Sequence, residues 1–254
     1  MGKIHLLMRK EDIDVEQMKG KVAVVFDVLL ATSTITAAFD NGAQEVIPVL
    51  NEEEALREAE GRAKDSYVLS GEYSGLTLDG FLSPSPLGLK GQVKGKTVIL
   101  STTNGTVAIK NVAVSAQKVF AASLLNGKAV AKAINDSLKD ETIVVVCSGS
   151  MESFCLEDFY GAGYFLDCLV GLDDEMSWEL TDSATAALYF YRGNKDDSLA
   201  MLDRARVGKM LDDFGLADDI RYVAERGGVS AVPAFDGKAI VDEKVSVRKG
   251  GIHK

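Results

Sequence analysis

Asp27 ends the apolar run VAVVF, a place where a carboxylate must be paired, hydrogen-bonded or bound to a cation, because unpaired burial is expensive. Thr32 and Ser33 follow it within one short loop. A second hydroxyl-rich loop, Thr102, Thr103, Asn104, Gly105 and Thr106, follows the apolar run Val98-Ile99-Leu100. Ser148, Gly149 and Ser150 follow a third such run, with Glu157 and Asp158 a few residues on, and Glu72 lies in SGEYSG after Tyr67-Val68-Leu69. Each group sits between a strand-like segment and a helix-like one, the edge at which open α/β sheets bind ligands. Free backbone N–H groups there attract anions, and Gly105 would allow close backbone approach or a positive φ. Ordinary capping is the alternative for the same residues, since Ser, Thr, Asn and Asp are preferred helix caps.

The acids differ in what their neighbours allow. Glu157 and Asp158 are adjacent, and adjacent helical side chains diverge by about 100°. Both therefore reach one cleft only from a frayed helix; the expectation is Asp158 inward, with Glu157 as its supporter or as a salt-bridge partner. Asp182 is a further candidate ligand and equally a good first-turn acid. Carboxylates with hydroxyls suit a Mg²⁺ site of hard oxygen ligands, with Asp27 and Asp158 the candidate metal ligands. Such a site takes phosphate oxygens as further ligands.

Other chemistries fit poorly. The two histidines, His5 and His253, stand at the chain ends, away from any central catalytic role. Cys147, Cys155 and Cys168 lack paired spacing for zinc or a disulfide framework. A Cys147 phosphatase nucleophile would want Arg six positions on, where Ser153 stands. There is no GxxxxGK loop, no GxGxxG after a strand, and Asp27-Val28-Leu29 lacks the second acid of a DxD nucleophile motif. The formal net charge of −10 argues against nucleic acid, which needs a basic footprint. It also repels an anionic substrate, a sign that a divalent metal reverses locally. No apolar run is long enough for a membrane span, and nothing in the first residues directs the chain out of the cytoplasm.

The elements that must position these residues repeat. KVAVVFDVLLATSTITAAFDNGAQEVIPVLNEEEALREA and KTVILSTTNGTVAIKNVAVSAQKVFAASLLNGKAVAKAI each read as strand, polar loop, helix, strand, and then a second helix. The repeat covers approximately residues 21–60 and 96–134, and suggests duplication of a βαβα unit within one domain spanning 1–254. A chance likeness of two generic α/β patterns is the alternative. The expected fold is α/β: a three-layer α/β/α sandwich of two similar halves, with one cleft taking an acid from one half and hydroxyls from the other. Further helices are expected over 154–172, 182–191, 198–214 and 217–226, the chain turning helical after Asp174. Gly161 and Gly163 inside the first of these cost about 1 kcal/mol each against Ala if exposed, so close packing is expected there. Residues 231–235 and 238–241 read as a hairpin with a type I′ turn at Asp236-Gly237. The Pro84- and Pro86-containing stretch 80–91 reads as an ordered loop.

At these loops the sequence resembles the 2-phosphosulfolactate phosphatases, the ComB family. The resemblance runs over nearly the whole chain: FDVLLATSTITAAFDNGAQEVIPV, SGE, STTNGT, AASLLN, CSG and LEDFYGAG, with TTNGT the most specific. It implies a Mg²⁺-dependent hydrolase releasing phosphate from 2-phospho-3-sulfolactate, a step toward coenzyme M, and an α/β fold with duplicated halves. A small anionic phosphate ester is the implied partner, and a homo-oligomer is possible. The chain has Leu30 and Tyr73 where the family commonly has Arg, GFLSPSPLGL for a GFDLGNSP-like segment, and Val207-Gly208 for a late His-Gly. Arg is a natural bidentate grip for carboxylate, sulfonate or phosphate. The alternatives are therefore a phosphatase of another 2-hydroxy-acid phosphate, a non-catalytic binder of an anionic metabolite, or a subunit whose acidic surface serves an assembly partner.

Overall fold

A computed structural model describes residues 2–172 and 178–244. His253 and Asp174 lie outside the described residues. β1 (Gly2–Leu7) opens the chain, followed by a 3₁₀ turn over Lys10–Asp12, β2 (Val22–Phe26), α1 (Ala31–Asp40), β3 (Glu45–Val49) and α2 (Glu52–Ala59). Next come β4 (Tyr67–Tyr73), β5 (Leu76–Thr77), β6 (Thr97–Ser101), α3 (Gly105–Ala113), β7 (Lys118–Ala122), α4 (Gly127–Ser137), β8 (Thr142–Cys147) and α5 (Leu156–Val170). The last part holds β9 (Trp178–Leu180), α6 (Asp182–Gly193), α7 (Ser198–Arg204), α8 (Arg206–Asp213), α9 (Ala217–Val223), β10 (Pro233–Phe235) and β11 (Ile240–Asp242).

The strands form one mixed sheet in the order β5-β4-β6-β3-β11-β10-β7-β2-β8-β1-β9. Two parallel runs, β4-β6-β3 and β7-β2-β8-β1-β9, flank the antiparallel hairpin β10-β11. The hairpin meets β3 only at Val46 and β7 only at Val119 and Phe120, near the amino ends of both strands. Strand alternation divides the core. Val22, Val24 and Phe26 belong to the cluster that includes Phe165 and Leu166 of α5, whereas Ala23 and Val25 pack with Ile35 of α1 and Ile109 of α3. Every residue of β2 and β6 is buried, as strands covered on both faces require.

Several expectations are corrected. The helix expected over 198–214 is two, because Ala205 takes an extended conformation (φ −62°, ψ 148°) between α7 and α8. The C-terminal hairpin closes through four residues, 236–239, not a two-residue type I′ turn: the Asp236 carboxylate accepts from the Lys238 and Ala239 amides. A short strand, β9, precedes the helical region, and its partner β1 was not anticipated. Gly161 and Gly163 do mark close packing. A Cβ on Gly161 would lie 2.6 Å from Val28 Cγ2, and one on Gly163 would collide with the Ala187 carbonyl of α6. The stretch 80–91 is tied down by bonds that include those between the Leu82 and Leu69–Gly71 backbones, from Thr34 Oγ1 to the Pro84 carbonyl (2.6 Å) and from the Leu87 amide to Asp219 (2.8 Å).

Candidate functional site

The loops after β2, β6 and β8 meet at the amino ends of α1, α3 and α5. Contact between the first two is direct: a Cβ on Gly105 would lie 2.5 Å from Ala31 Cβ and 2.6 Å from Asp27 Oδ2. Gly105 is therefore needed for close approach; its φ is not positive. The Asp27 carboxylate faces the Ala31 and Gly105 amides, which favour its charged form, so one acid stands at the first turns of two helices. Asp158 does the same work between β2 and β8, with Oδ1 accepting from the Val28 amide (2.8 Å) and Oδ2 from the Gly149 amide (3.0 Å).

Carboxylates thus occupy the anion-attracting ends of these helices. Glu72 follows the pattern: its oxygens accept from the Thr103 amide (2.6 Å), the Thr103 hydroxyl (3.0 Å) and the Gly75 amide (2.7 Å). Within the β6–α3 loop the Thr102 amide donates to Thr106 Oγ1 and the Thr106 amide to Thr102 Oγ1, both at 3.1 Å. The amides of Thr102, Thr103 and Thr106 consequently have acceptors inside the protein, and that of Gly105 faces Asp27. Thr32 engages Asp27 in the same reciprocal way, accepting from its amide and donating to its carbonyl. Ser33 Oγ donates to the Val28 carbonyl.

A cavity of about 440 Å³ opens over this junction. Asp27, Glu72, Thr102, Thr103, Asn104, Gly149, Ser150, Glu157 and Asp158 line it. Thr32, Ser33, Gly105, Thr106 and Ser148 are buried just behind it. Asp182 is exposed at the start of α6 and does not reach it. Glu157 and Asp158 both line the cavity, each only 2% exposed, from the regular first turn of α5. Helix fraying, expected as the condition for that, is not needed: the end of α5 itself points at the cavity. Glu157 makes no salt bridge within 4 Å among the described residues; its side chain contacts the Cys155 thiol, and the charge of Arg206 acts on it favourably. Its Oε2 is buried without a hydrogen-bond partner.

Electrostatically the floor is under strain. Burial first, then the charges of Glu72 and Glu157, push the Asp27 carboxyl up to about 7. Burial and the charges of Asp27 and Glu157 push Asp158 well above the carboxylate range, and burial raises Glu157. The same surroundings push the Cys147 and Cys155 thiols up, leaving no thiolate at neutral pH. Among the described residues no three His, Cys, Asp or Glu side chains form a ready metal cage. The donor chemistry still fits Mg²⁺. That ion commonly takes one or two carboxylates, with waters and phosphate completing its shell. Mutually repelling acids and the unpartnered Glu157 oxygen supply such donors.

The 2-phosphosulpholactate phosphatase family model matches residues 7–238 of this chain. The chain belongs to that family. A probable 2-phosphosulfolactate phosphatase of Clostridium acetobutylicum is 40% identical over 235 residues, covering 92% of this chain and 97% of the relative. Proteins of the same description from Clostridium perfringens (strain SM101) and Clostridium novyi are 41% and 38% identical, each over 92% of this chain and at least 93% of their own length.

Sequence reasoning marked Val207 only as a departure from the family pattern and missed the other wall of the family member's cavity. Val207, Met210 and Leu211 of α8 line it with Phe214, and Arg206 donates to the Ser150 carbonyl at 2.9 Å. Lys10 was also missed; its ammonium donates to Asn104 Oδ1 at 2.9 Å. Periodicity marks α8 as amphipathic, but it does not say what its apolar face covers.

Proposed function

We propose that this chain is a Mg²⁺-dependent phosphatase of 2-hydroxy-acid phosphates, the ester class to which 2-phosphosulfolactate belongs. The observation that carries this reading is the convergence of Asp27, Glu157 and Asp158 at one cavity floor, with a buried Glu157 oxygen left unpartnered. Hydrolysis joins a water oxygen to phosphorus, breaks the bond from phosphorus to the C2 oxygen, and returns a proton to the leaving alkoxide. Asp27 and Glu157 would hold the cation, while Asp158 fixes the β2 and β8 loops around it. When bound, Mg²⁺ offsets charge on the phosphoryl oxygens and acidifies a coordinated water. Glu72 holds the Thr103 loop against the β4–β5 hairpin, and Arg206 is placed to grip the carboxylate of the ester. No acceptor-rich pocket of this kind attracts an anion without added positive charge, which is why a metal belongs to the reading.

The three-layer, duplicated architecture is part of the same proposal. Its support is the sheet order, which sets β6-β3 and β7-β2 symmetrically about the hairpin, and the matching Thr32–Asp27 and Thr106–Thr102 hydrogen bonds. A phosphate-release screen across 2-hydroxy-acid phosphates, with Mg²⁺ and with EDTA, tests the function. Release that requires the metal is expected. No release under any divalent metal would leave binding of an anionic metabolite in its place.

A further inference from the structure

The cavity is lined by two chemically different sets of side chains. Four carboxylates, Asp27, Glu72, Glu157 and Asp158, line one part of it, and Arg206 is the one basic side chain among its described lining residues. Leu29, Leu30, Leu76, Met210, Leu211 and Phe214 line another part. Part of this apolar set comes from two elements that meet, the β4–β5 hairpin and α8. Gly75, at the tip of the β4–β5 hairpin with φ +85°, sits so close to α8 that a Cβ there would lie 2.9 Å from Phe214 Cε2 and 3.1 Å from Met210 Cε. Leu76 and Phe214 remain 64% and 46% exposed beside this contact, although both line the cavity. Apolar surface held open in a cleft is what an apolar ligand group covers.

We propose that the preferred ester carries one carboxylate and an apolar substituent, the carboxylate meeting Arg206 and the substituent lying against Leu76, Met210 and Phe214. The proposal rests on the phosphatase reading for its substrate and extends it to the leaving alcohol. A phosphate ester has its phosphoryl group directed to the acidic floor, where the cation would lie. The remaining carboxylate has Arg206. A third anionic group, such as a sulfonate on C3, would lie against leucine, methionine and phenylalanine with no cation among the described lining residues left to pair it, and would forgo the apolar contact those side chains offer. At about 440 Å³ the cavity has the size of a small-molecule site and accommodates an aliphatic or aromatic side chain beside the reacting group.

The test compares kcat/KM for the phosphate esters of 3-phenyllactate, malate and 3-sulfolactate, alongside calorimetric binding of the three free hydroxy acids in the presence of Mg²⁺. The phenyllactate ester is expected to lead by about 10-fold or more, the scale on which apolar pockets discriminate. Leu76→Arg, at an exposed position of a two-residue strand, is expected to shift the ratio toward the sulfolactate ester by about 10-fold or more. Equal or better turnover of the two charged esters, with the ratio unmoved in Leu76→Arg, overturns the apolar-wall proposal and leaves the phosphatase reading intact. Preferential binding of phenyllactate with no phosphate release from any ester does the reverse. Equal binding of all three acids without release overturns both.

Discussion

Gly105 presses its α-carbon against the carboxylate of Asp27, where any side chain would stand 2.6 Å from Oδ2. The start of α3 is thereby fixed against the acid that follows β2, and the two hydroxyl-rich loops become one site. Gly105→Val should lower stability by about 1–3 kcal/mol through overpacking and abolish Mg²⁺-dependent turnover with it. Chemical denaturation checks the first effect. An unchanged midpoint would show that the two helix starts can separate freely.

Asp158 should prove structural as well as functional. Its two oxygens hold the Val28 and Gly149 amides, and an amide side chain offers one acceptor where two are needed. With Mg²⁺ present, Asp158→Asn is expected to cost about 1–3 kcal/mol, the penalty for a buried donor left unsatisfied. Its turnover should fall too. Thermal melts decide this, and a variant that melts with the wild type would confine Asp158 to chemistry.

Metal-free protein should show a pH signature from Asp27. Its carboxyl is raised from 3.8 to about 7 by burial and neighbouring charge, so the folded state binds the proton more tightly than the unfolded chain. That contribution is fully present below the unfolded value and is lost as pH rises through about 7. In EDTA the wild type should therefore lose melting temperature relative to Asp27→Asn between pH 4 and pH 7. A constant difference across that range would mean that Asp27 ionises normally in the fold.

Much of this arrangement was legible in the residues. VAVVF followed by Asp27, and TVILS followed by Thr102, have the unbroken apolar runs of doubly covered strands, and the polar residues after them could lie only at strand ends. Glu157 and Asp158 were harder. The 100° rule separates neighbours around a helix axis, but it loses force where the helix end itself faces the cavity. The α8 wall was hidden for another reason. Ala205 breaks the helix without a glycine or proline to announce it, and the packing that brings Arg206 and Phe214 over a site built mainly from β2, β6 and β8 is wholly tertiary. Glu72 was recognisable as a cleft acid; its grip on Thr103 and Gly75 depends on a hairpin too short to carry a pattern.

The most direct test of the central claim is phosphate release from a 2-hydroxy-acid phosphate by the wild type with Mg²⁺, by the wild type in EDTA, and by Asp27→Asn with Mg²⁺. The account predicts that EDTA stops release, and that Asp27→Asn lowers it by about 100-fold or more, the scale of a lost electrostatic contribution to the transition state. Full activity in EDTA together with an unimpaired Asp27→Asn enzyme would contradict it, and would reduce Asp27 to the cap of α1 and α3.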